Sequence, residues 1–334
     1  MKVGIIGCGL IGMKRAAVIK SPHEIIALCD IDKSRAYSLA EKFNLSNIFI
    51  TDDYKELITK SDADIIIIST IVKFSAPITL FAVKNNKHVI VEKPAGMNAD
   101  ELKEIINISR EKNLVVKVGF NHRYHPAILK AKEIIDSNPE KVGSLMFIRG
   151  RYGHGGRIGY NHEWRANPEL SGGGELIDQG VHLIDLSRLF LGNFTEIDGS
   201  ICNYYWDMPV EDNAFLCLKT QDKKIAWLHV SCTEWKNMFS FEIYCKYAKF
   251  IIDGLGGSYG VEKLYYYQML PEMGIPDTII YEYPRGDSSW LLEWEEVINS
   301  IENKSPLKMG DISDAYEALK IVDNIYNKKG INKS

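Results

Sequence analysis

Residues 2–12 read KVGIIGCGLIG, an apolar run of strand length that leads directly into the spacing G-x-G-x-x-G at Gly7, Gly9 and Gly12. This spacing is typical of the turn between the first strand and the first helix of a dinucleotide-binding βαβ unit. Gly7 allows the tight turn, Gly9 lets a pyrophosphate approach the backbone, and Gly12 lets the helix pack closely on the strand. The stretch therefore predicts a Rossmann domain, with phosphates bound at the positive end of the helix dipole.

The predicted first domain continues as an alternation of short β-rich runs and helical patterns. The strand-like runs occupy residues 3–6, 24–29, 64–69, 88–91 and 115–118. After about residue 120, apolar and polar residues alternate strictly in several runs, which is typical of half-buried antiparallel strands. We therefore predict an α/β fold with two domains. Residues 1–121 would form a doubly wound parallel Rossmann sheet, and residues 122–334 an α+β domain with an open, mostly antiparallel sheet.

Asp30 ends the second predicted strand, about 20 residues after the glycine motif. An acidic side chain at this place accepts hydrogen bonds from the ribose hydroxyls and repels a 2′-phosphate, so NAD is favoured over NADP. The alternative is that Asp30 or Asp32 only caps the helix that begins near Lys33.

Composition excludes several classes of protein. The net charge of −4 over 334 residues argues against a broad surface for nucleic acid or an anionic membrane. No apolar run reaches the 18 or more residues of a membrane helix, and glycines interrupt the amino terminus where a signal peptide would be apolar. We expect a cytoplasmic protein. The six cysteines form no C-x-x-C pair, so we expect no metal site and no disulfide framework.

Two further stretches carry residues suited to chemistry. Glu92, Lys93 and Pro94 follow a predicted strand, and the carboxyl ends of parallel strands are where ligands bind. Residues 172–182 read GGGELIDQGVH, which spaces Asp178 and His182 by four residues on one face of a predicted helix. We predict that a cation, a carboxylate and an imidazole act together. The alternatives are a buried core histidine, a surface carboxylate and a solvent-exposed lysine.

At these motifs the chain resembles the Gfo/Idh/MocA family, which includes glucose-fructose oxidoreductase and inositol dehydrogenase. The resemblance covers the glycine motif, E-K-P at 92–94, G-F-N at 119–121 and the G-G-G-x-x-x-D-x-G-x-H stretch at 172–182. It implies NAD-linked oxidation or reduction at a sugar or cyclitol carbon, with Lys93, Asp178 and His182 as the catalytic group. The implied cofactor-binding residues are Gly7, Gly9, Leu10, Ile11, Gly12, Asp30, Ile31, Ser69, Thr70, Glu92, Lys93, Asn121, Trp164 and Arg165. Residues 69–75, STIVKFS, depart from the family pattern, in which a proline follows the position of Thr70.

The segment from Arg149 to Arg165 suggests a substrate. It combines four arginines with histidines, aromatic residues and glycines, and arginine forks suit phosphate or carboxylate. We predict a nucleotide-linked, phosphorylated or acidic sugar, although the loop could instead be solvated or form a subunit contact. The candidate substrate residues are Arg123, Tyr124, His154, Arg157, Asp178 and His182.

The predicted function is therefore an NAD-dependent dehydrogenase acting on a secondary hydroxyl of a sugar. Three alternatives stay open: a glycosidase that uses transient oxidation, a dehydrogenase of free sugars or inositols, and a non-catalytic NAD-binding regulator. We also predict a homodimer or homotetramer, because aromatic residues of the second domain suggest an exposed sheet face. These residues are Trp227, Phe239, Phe241 and Tyr265 to Tyr267.

Overall fold

The computed structural model describes residues 1–330 and divides them into two compact units. The first unit consists of Met1–Phe120 together with Trp290–Glu317. The second unit consists of Asn121–Ser289 and the residues from Ala318 onward. Each unit is built around one sheet.

The sheet of the first unit has six parallel strands in the order β3-β2-β1-β4-β5-β6, which is the doubly wound Rossmann order. The strands are β1 (Lys2–Ile6), β2 (Glu24–Cys29), β3 (Phe49–Thr51), β4 (Ile65–Ile68), β5 (His88–Val91) and β6 (Val116–Val118). The helices between them are α1 (Leu10–Val18), α2 (Lys33–Lys42), α3 (Tyr54–Lys60), α4 (Val72–Lys84) and α5 (Lys103–Glu111). The predicted parallel fold is confirmed.

The isoleucine run of β4 is fully buried, as expected for a strand between two helical layers. Sequence patterns missed β3 and α3 because a strand of three residues carries almost no periodic signal. Helix α4 extends from Val72 to Lys84, although a proline lies inside it. It contains Pro77 because the buried face formed by Val72, Ser75 and Ala76 offsets the loss of one backbone hydrogen bond.

The sheet of the second unit has eight strands in the order β14-β13-β12-β11-β7-β10-β9-β8. All neighbours are antiparallel except β7 and β10, which confirms the predicted open, mostly antiparallel sheet. The strands are β7 (Leu145–Gly153), β8 (Phe194–Cys202), β9 (Asn213–Thr220), β10 (Ile225–Ser231), β11 (Met238–Cys245), β12 (Ala248–Asp253), β13 (Glu262–Gln268) and β14 (Asp277–Tyr283). The helices are α6 (Pro126–Ser137), α7 (Pro139–Val142), α8 (Pro168–Ser171) and α9 (Val181–Leu191).

The two faces of this sheet differ in exposure. Phe239 and Phe241 of β11 are buried, whereas Trp227 of β10 is 57% exposed. The sequence prediction placed all three on one exposed face, and the structure corrects this for the two phenylalanines. They point to the covered face, because successive side chains of a strand alternate in direction.

The chain returns to the first unit near its carboxyl end, through α10 (Ser289–Glu302) and the first turns of α11 (Ile312–Lys328). This corrects the predicted second domain of residues 122–334, since Trp290–Glu317 groups with the Rossmann sheet. The reason is hydrophobic: Trp294, Val297 and Ile298 belong to the same core cluster as Val3 and Leu28 of β1 and β2. Among residues 1–330, no helix is long and apolar enough to cross a lipid bilayer.

Candidate functional site

The glycine motif forms the turn between β1 and α1 in the first unit. Gly7 has a φ of +92°, and a Cβ on it would lie 2.5 Å from the carbonyl oxygen of Ser69. A Cβ on Gly12 would lie 2.1 Å from the carbonyl oxygen of Gly7, so only glycine lets helix and turn approach this closely. On Gly9, the residue that caps α1, a Cβ would meet no atom of residues 1–330 within 4 Å. The turn is therefore tight at two glycines and open at the third, as a pyrophosphate requires.

Asp30 lies at the end of β2 beside this turn. One carboxylate oxygen accepts a hydrogen bond from the backbone N–H of Cys8 at 2.8 Å, and the other from that of Asp32 at 3.0 Å. Each oxygen keeps a second lone pair that a ribose hydroxyl can use. The side chain of Asp32 is the one that caps α2, by accepting from the N–H of Ser34. The capping alternative therefore applies to Asp32, and Asp30 is bound to the glycine turn.

Four more predicted cofactor residues surround the turn with surface suited to a nucleotide. Leu10 is 75% exposed and Ile31 is 90% exposed, so both present apolar side chains to solvent. Thr70 follows β4, and its buried hydroxyl has no hydrogen-bond partner within residues 1–330. Ser69 donates to the carbonyl of Gly7 at 2.7 Å. Exposed apolar side chains and a buried hydroxyl in need of a partner fit a bound dinucleotide.

Glu92 takes part in a buried ion-pair network of the first unit. Its carboxylate lies 2.6 Å from the guanidinium of Arg15 on α1, and Arg15 also pairs with Glu293 of α10 at 2.6 Å. Lys117 of β6 is 4.0 Å from Glu293. Burial raises the pKa of Glu92, an effect that the Arg15 charge opposes. The structure thus gives the Glu92 side chain a structural role in addition to the predicted cofactor contact.

Lys93 follows Glu92 at the carboxyl end of β5 and is half-buried. The peptide bond from Lys93 to Pro94 is cis. The ammonium charge of Lys93 favours the ionised form of Glu92. This places a cation on the edge of the parallel sheet at which ligands bind in open α/β folds.

The D-x-x-x-H motif of the second unit lies on a helix that changes its winding. Residues Leu176–Gly180, which include Asp178, form a π-helical turn, and α9 continues from Val181 with His182 as its second residue. Sequence spacing predicted a regular α-helix and missed this wider turn. Such turns are frequent at functional sites, since they change the direction of side chains relative to the rest of the helix.

His182 is 4% exposed and packs among aromatic rings. It stacks on His122 with ring centroids 3.7 Å apart and an interplanar angle of 17°. Tyr152 of β7 meets both rings edge-on, at 5.1 Å from His122 and 6.0 Å from His182. This packing fixes the orientation of the imidazole. It fits either role that the sequence left open, a catalytic histidine or a core histidine.

The glycines that precede this helix accommodate the protein's own side chains and backbone. A Cβ on Gly173, which has a φ of +152°, would lie 2.1 Å from the hydroxyl of Tyr326 on α11. A Cβ on Gly174 would lie 2.1 Å from the carbonyl oxygen of Glu211. The close approach that these two glycines allow is therefore to Tyr326 and Glu211 of the protein itself. Tyr326 donates to the Glu211 carboxylate at 2.6 Å, which holds the helix start in place.

Glu175 is a titratable residue of the motif that sequence reasoning did not single out. It is 1% exposed and accepts a hydrogen bond from the hydroxyl of Tyr160 at 2.9 Å. Burial raises its pKa to about 8, and the nearby Asp178 charge contributes in the same direction. A glutamate that follows a run of glycines gives no hint of burial, since glutamate is usually exposed.

Three of the four arginines in the predicted substrate loop, Arg149, Arg157 and Arg165, are paired with carboxylates, and the fourth, Arg151, is exposed. Arg157 contacts Glu163 at 2.6 Å, and the Nε of Arg165 donates to Asp178 at 3.2 Å. Trp164 stacks under the Arg165 guanidinium at 4.5 Å. His154 lies 3.6 Å from Glu175, so the loop contacts the helix motif through both His154 and Arg165.

Three other predicted residues are buried inside the second unit. Arg123 makes a bidentate pair with Asp185 of α9, with both distances 2.6 Å, and is 3% exposed. Tyr124 is also 3% exposed. Asn121 donates to the hydroxyl of Ser289 at 2.9 Å. Sequence reasoning missed Asp185, which lies one turn beyond His182 and holds Arg123 in place.

Comparisons with known proteins agree with this architecture. Residues 1–120 match the model of an oxidoreductase family with an NAD-binding Rossmann fold. Residues 128–251 match the GFO/IDH/MocA C-terminal domain. Together the two matches account for most of both units. Within the described residues, no group of three or more His, Cys, Asp or Glu side chains could hold a metal ion.

Two of the individual relatives are named as sugar dehydrogenases. Levoglucosan dehydrogenase of Pseudarthrobacter phenanthrenivorans is 26% identical over 66% of this chain and 58% of its own length. D-glucoside 3-dehydrogenase of Escherichia coli is 28% identical over 69% of this chain and 70% of its own. The match thus spans little more than half of the first relative. A solved structure of levoglucosan dehydrogenase with NADH and levoglucosan superposes with a TM-score of 0.87, covering 99% of this chain and 97% of the other at 20% identity.

Proposed function

Because the chain belongs to the Gfo/Idh/MocA family of oxidoreductases, we propose that it is an NAD-dependent dehydrogenase that acts on a secondary hydroxyl of a neutral sugar or glycoside. One observation carries the proposal. A complete dinucleotide turn, with Asp30 bound to it, occurs in the same chain as Lys93 and an intact Asp178 and His182 motif.

The reaction would divide among three side chains. NAD, when bound, supplies the acceptor for the hydride that leaves the substrate carbon. The imidazole of His182 accepts the hydroxyl proton, because a ring nitrogen of a neutral imidazole can act as a general base. The ammonium of Lys93 donates a hydrogen bond to the reacting oxygen and stabilises its developing negative charge. Asp178, which is paired with Arg165, orients the substrate or the histidine.

The pairing of the loop arginines supports an uncharged substrate. Arg157 and Arg165 each lie against a carboxylate, so an anionic ligand would have to displace Glu163 or Asp178 to bind them. A neutral sugar needs no such exchange. The two relatives described above are named for the uncharged sugars levoglucosan and D-glucoside, whereas a third, from Streptomyces violaceoruber, is named as the 3-reductase of a dTDP-linked sugar. The nucleotide-linked or acidic sugar expected from the sequence stays a prediction that a substrate panel tests.

A substrate panel tests the proposal directly. The purified protein would be incubated with NAD and neutral glycosides, free sugars, inositols, sugar phosphates and nucleotide sugars, with NADH absorbance and product mass recorded. We expect NADH to form with neutral sugars or glycosides and the substrate to lose two mass units. NADH only with nucleotide sugars would contradict the neutral class. Sugar release without NADH would indicate the glycosidase, and NAD binding without turnover on any compound would favour the regulator.

Substitutions test the assigned roles. Lys93→Ala and His182→Ala should each lower kcat by about 10²–10⁴-fold, because each removes a group that acts on the reacting hydroxyl. NADH binding, measured by fluorescence, should change little. Lys84→Ala removes an exposed lysine outside the site and serves as the matched control. Near-normal turnover in both Lys93 and His182 variants would contradict the assignment.

We also propose that the chain forms a homodimer or homotetramer through the open face of the second sheet. This face carries the exposed Trp227 and the stacked rings of Tyr265 and Tyr267. Exposed aromatic residues on a sheet face are typical of an interface between subunits. Light scattering should give a mass of two or four chains, and Trp227→Glu should shift it toward the monomer. A monomeric wild-type protein would contradict the proposal.

A further inference from the structure

Three aromatic side chains meet at the surface of the second unit and form what we call the aromatic shelf: Tyr205, Trp206 and Trp235. Tyr205 contacts the other two rings nearly at right angles, with centroids 5.0 Å from Trp206 and 4.8 Å from Trp235. Tyr205 is 55% exposed and Trp235 is 69% exposed. The rings come from the loops that follow β8 and β10, so they are adjacent only in the folded chain.

The shelf is continuous with the helix motif of the candidate site. The ring centroids of Trp206 and Tyr160 lie 5.6 Å apart. The hydroxyl of Tyr160 donates a hydrogen bond to the carboxyl group of the buried Glu175. A row of rings in contact therefore runs from Tyr160, through Trp206 and Tyr205, to the exposed Trp235.

The shelf is held rigidly. The carboxylate of Asp212 accepts hydrogen bonds from the backbone N–H groups of Tyr204, Tyr205 and Trp206, at 2.7 to 3.0 Å. The indole N–H of Trp206 donates to the carbonyl of Cys232 at 3.0 Å. These bonds fix the backbone that carries Tyr205 and the ring of Trp206 before any ligand arrives, which lowers the entropic cost of binding.

The glycine-rich part of the substrate loop lies directly against the shelf. A Cβ on Gly156 would lie 2.5 Å from the indole of Trp206, and a Cβ on Gly155 would lie 2.9 Å from the backbone of Trp235. Arg157, the next residue, is paired with Glu163. The shelf therefore offers aromatic faces beside a neutralised ion pair, a surface that suits an uncharged ring.

We propose that the aromatic shelf binds the apolar aglycone of a neutral glycoside, the ring that is remote from the oxidised carbon. The inference rests on the proposed function and specifies the substrate class of that site. Aromatic faces attract the C–H groups of a sugar and stack on a flat aglycone. Three side chains offer far less surface than the roughly 800 Å² that each partner contributes to a stable protein interface. This favours a small ring over a second copy of the chain.

The test compares two probes that differ only in the remote ring, methyl glucoside and phenyl glucoside, with NAD as acceptor. Tyr205→Ala and Trp235→Ala should each raise KM for phenyl glucoside about 10-fold, the equivalent of losing 1.4 kcal/mol of stacking. The KM for methyl glucoside and both kcat values should stay unchanged, and Trp235→Phe should restore most of the loss. Tyr247→Ala is the matched control, because Tyr247 is an exposed tyrosine at the opposite end of β11.

Equal KM changes for both glucosides, or none for either, would overturn the shelf while leaving the dehydrogenase standing. So would a change in mass by light scattering in the variants, since it would make the shelf a subunit contact. Selective loss of nucleotide-sugar turnover would assign the shelf to a base and contradict the neutral glycoside. If the wild type forms no NADH with either glucoside, the binding of phenyl glucoside to the wild type and to Trp235→Ala is measured by calorimetry instead. Binding to the wild type that is lost in Trp235→Ala would support the proposal for the shelf. No binding to the wild type, or equal binding to both proteins, would contradict it.

Discussion

At the scale of single residues, the second unit places several carboxyl groups where water does not reach them. Glu175 and Glu211 are both nearly fully buried, and burial raises the pKa of each. Glu175 faces Tyr160, His154, Cys232 and the charge of Asp178. Burial disfavours the ionised form of the Glu175 carboxyl, and the negative charge of Asp178 adds to this effect. Glu175 therefore stays protonated over much of the physiological pH range.

The folded pKa of Glu175 predicts how stability depends on pH. The group ionises near 4.5 in the unfolded chain and near 8 in the folded protein. Its contribution to stability is therefore complete below pH 4.5 and is lost as the pH rises toward 8. Glu175→Gln mimics the protonated form, so its stability relative to wild type should increase by at least about 1 kcal/mol between about pH 5 and pH 9. Urea unfolding measures this.

Glu196→Gln is the control for this prediction, because the Glu196 side chain is 67% exposed and pairs only with surface charge in the residues described. It should follow the wild-type pH dependence. If Glu175→Gln also parallels the wild type at every pH, Glu175 is ionised in the folded protein and the prediction is wrong.

At the scale of elements, α10 is fixed to the Rossmann sheet by charge as well as by its apolar face. Glu293 of α10 pairs with Arg15 of α1 at 2.6 Å, and both side chains are essentially inaccessible to solvent. Trp290 covers the same guanidinium, with its ring centre 4.5 Å from Cζ of Arg15. Buried charges of this kind require their partner, since neither can be solvated.

Removing Glu293 should therefore destabilise the protein strongly. Glu293→Ala leaves Arg15 and Lys117 buried with less compensating charge, and we expect a loss of about 3–5 kcal/mol. Glu295→Ala changes an exposed glutamate of the same helix and should cost less than about 0.5 kcal/mol. Thermal and urea unfolding of the two variants provide the comparison. Equal stabilities would mean that the apolar face alone holds α10.

At the scale of the whole molecule, the first unit is assembled from two distant segments of the chain. Its core includes Trp294, Val297 and Ile298, although they follow Phe120 by more than 170 positions. The chain leaves and re-enters the unit at neighbouring points, since Asn121 and Ser289 are joined by a hydrogen bond of 2.9 Å. A short linker can therefore replace the whole intervening segment.

This arrangement predicts which fragment folds. Residues 1–120 alone should lack cooperative unfolding and bind NADH weakly, because the core is left open where α10 packs. Residues 1–120 joined to 290–317 by a short glycine-serine linker should unfold cooperatively and bind NADH. NMR dispersion and NADH fluorescence report both properties. If residues 1–120 fold and bind NADH as well as the joined fragment, the returning segment is dispensable.

The sequence by itself determined the Rossmann order of the first unit and the place of the cofactor turn. These features depend on local patterns: glycines at fixed spacing, a fully apolar strand and an acidic residue after the second strand. The alternating pattern also predicted the antiparallel sheet. It could not say which face each aromatic residue occupies, as Phe239 and Trp227 show.

Only the tertiary structure decided the rest, because it depends on contacts between residues far apart in the chain. The return of α10, the burial of Glu175 and the stack of His122 on His182 have no local signal. The pairing of the loop arginines with Glu163 and Asp178 is of the same kind. An arginine-rich loop suggests an anionic ligand, and the ion pairs of Arg157 and Arg165 are the reason why we propose a neutral sugar instead.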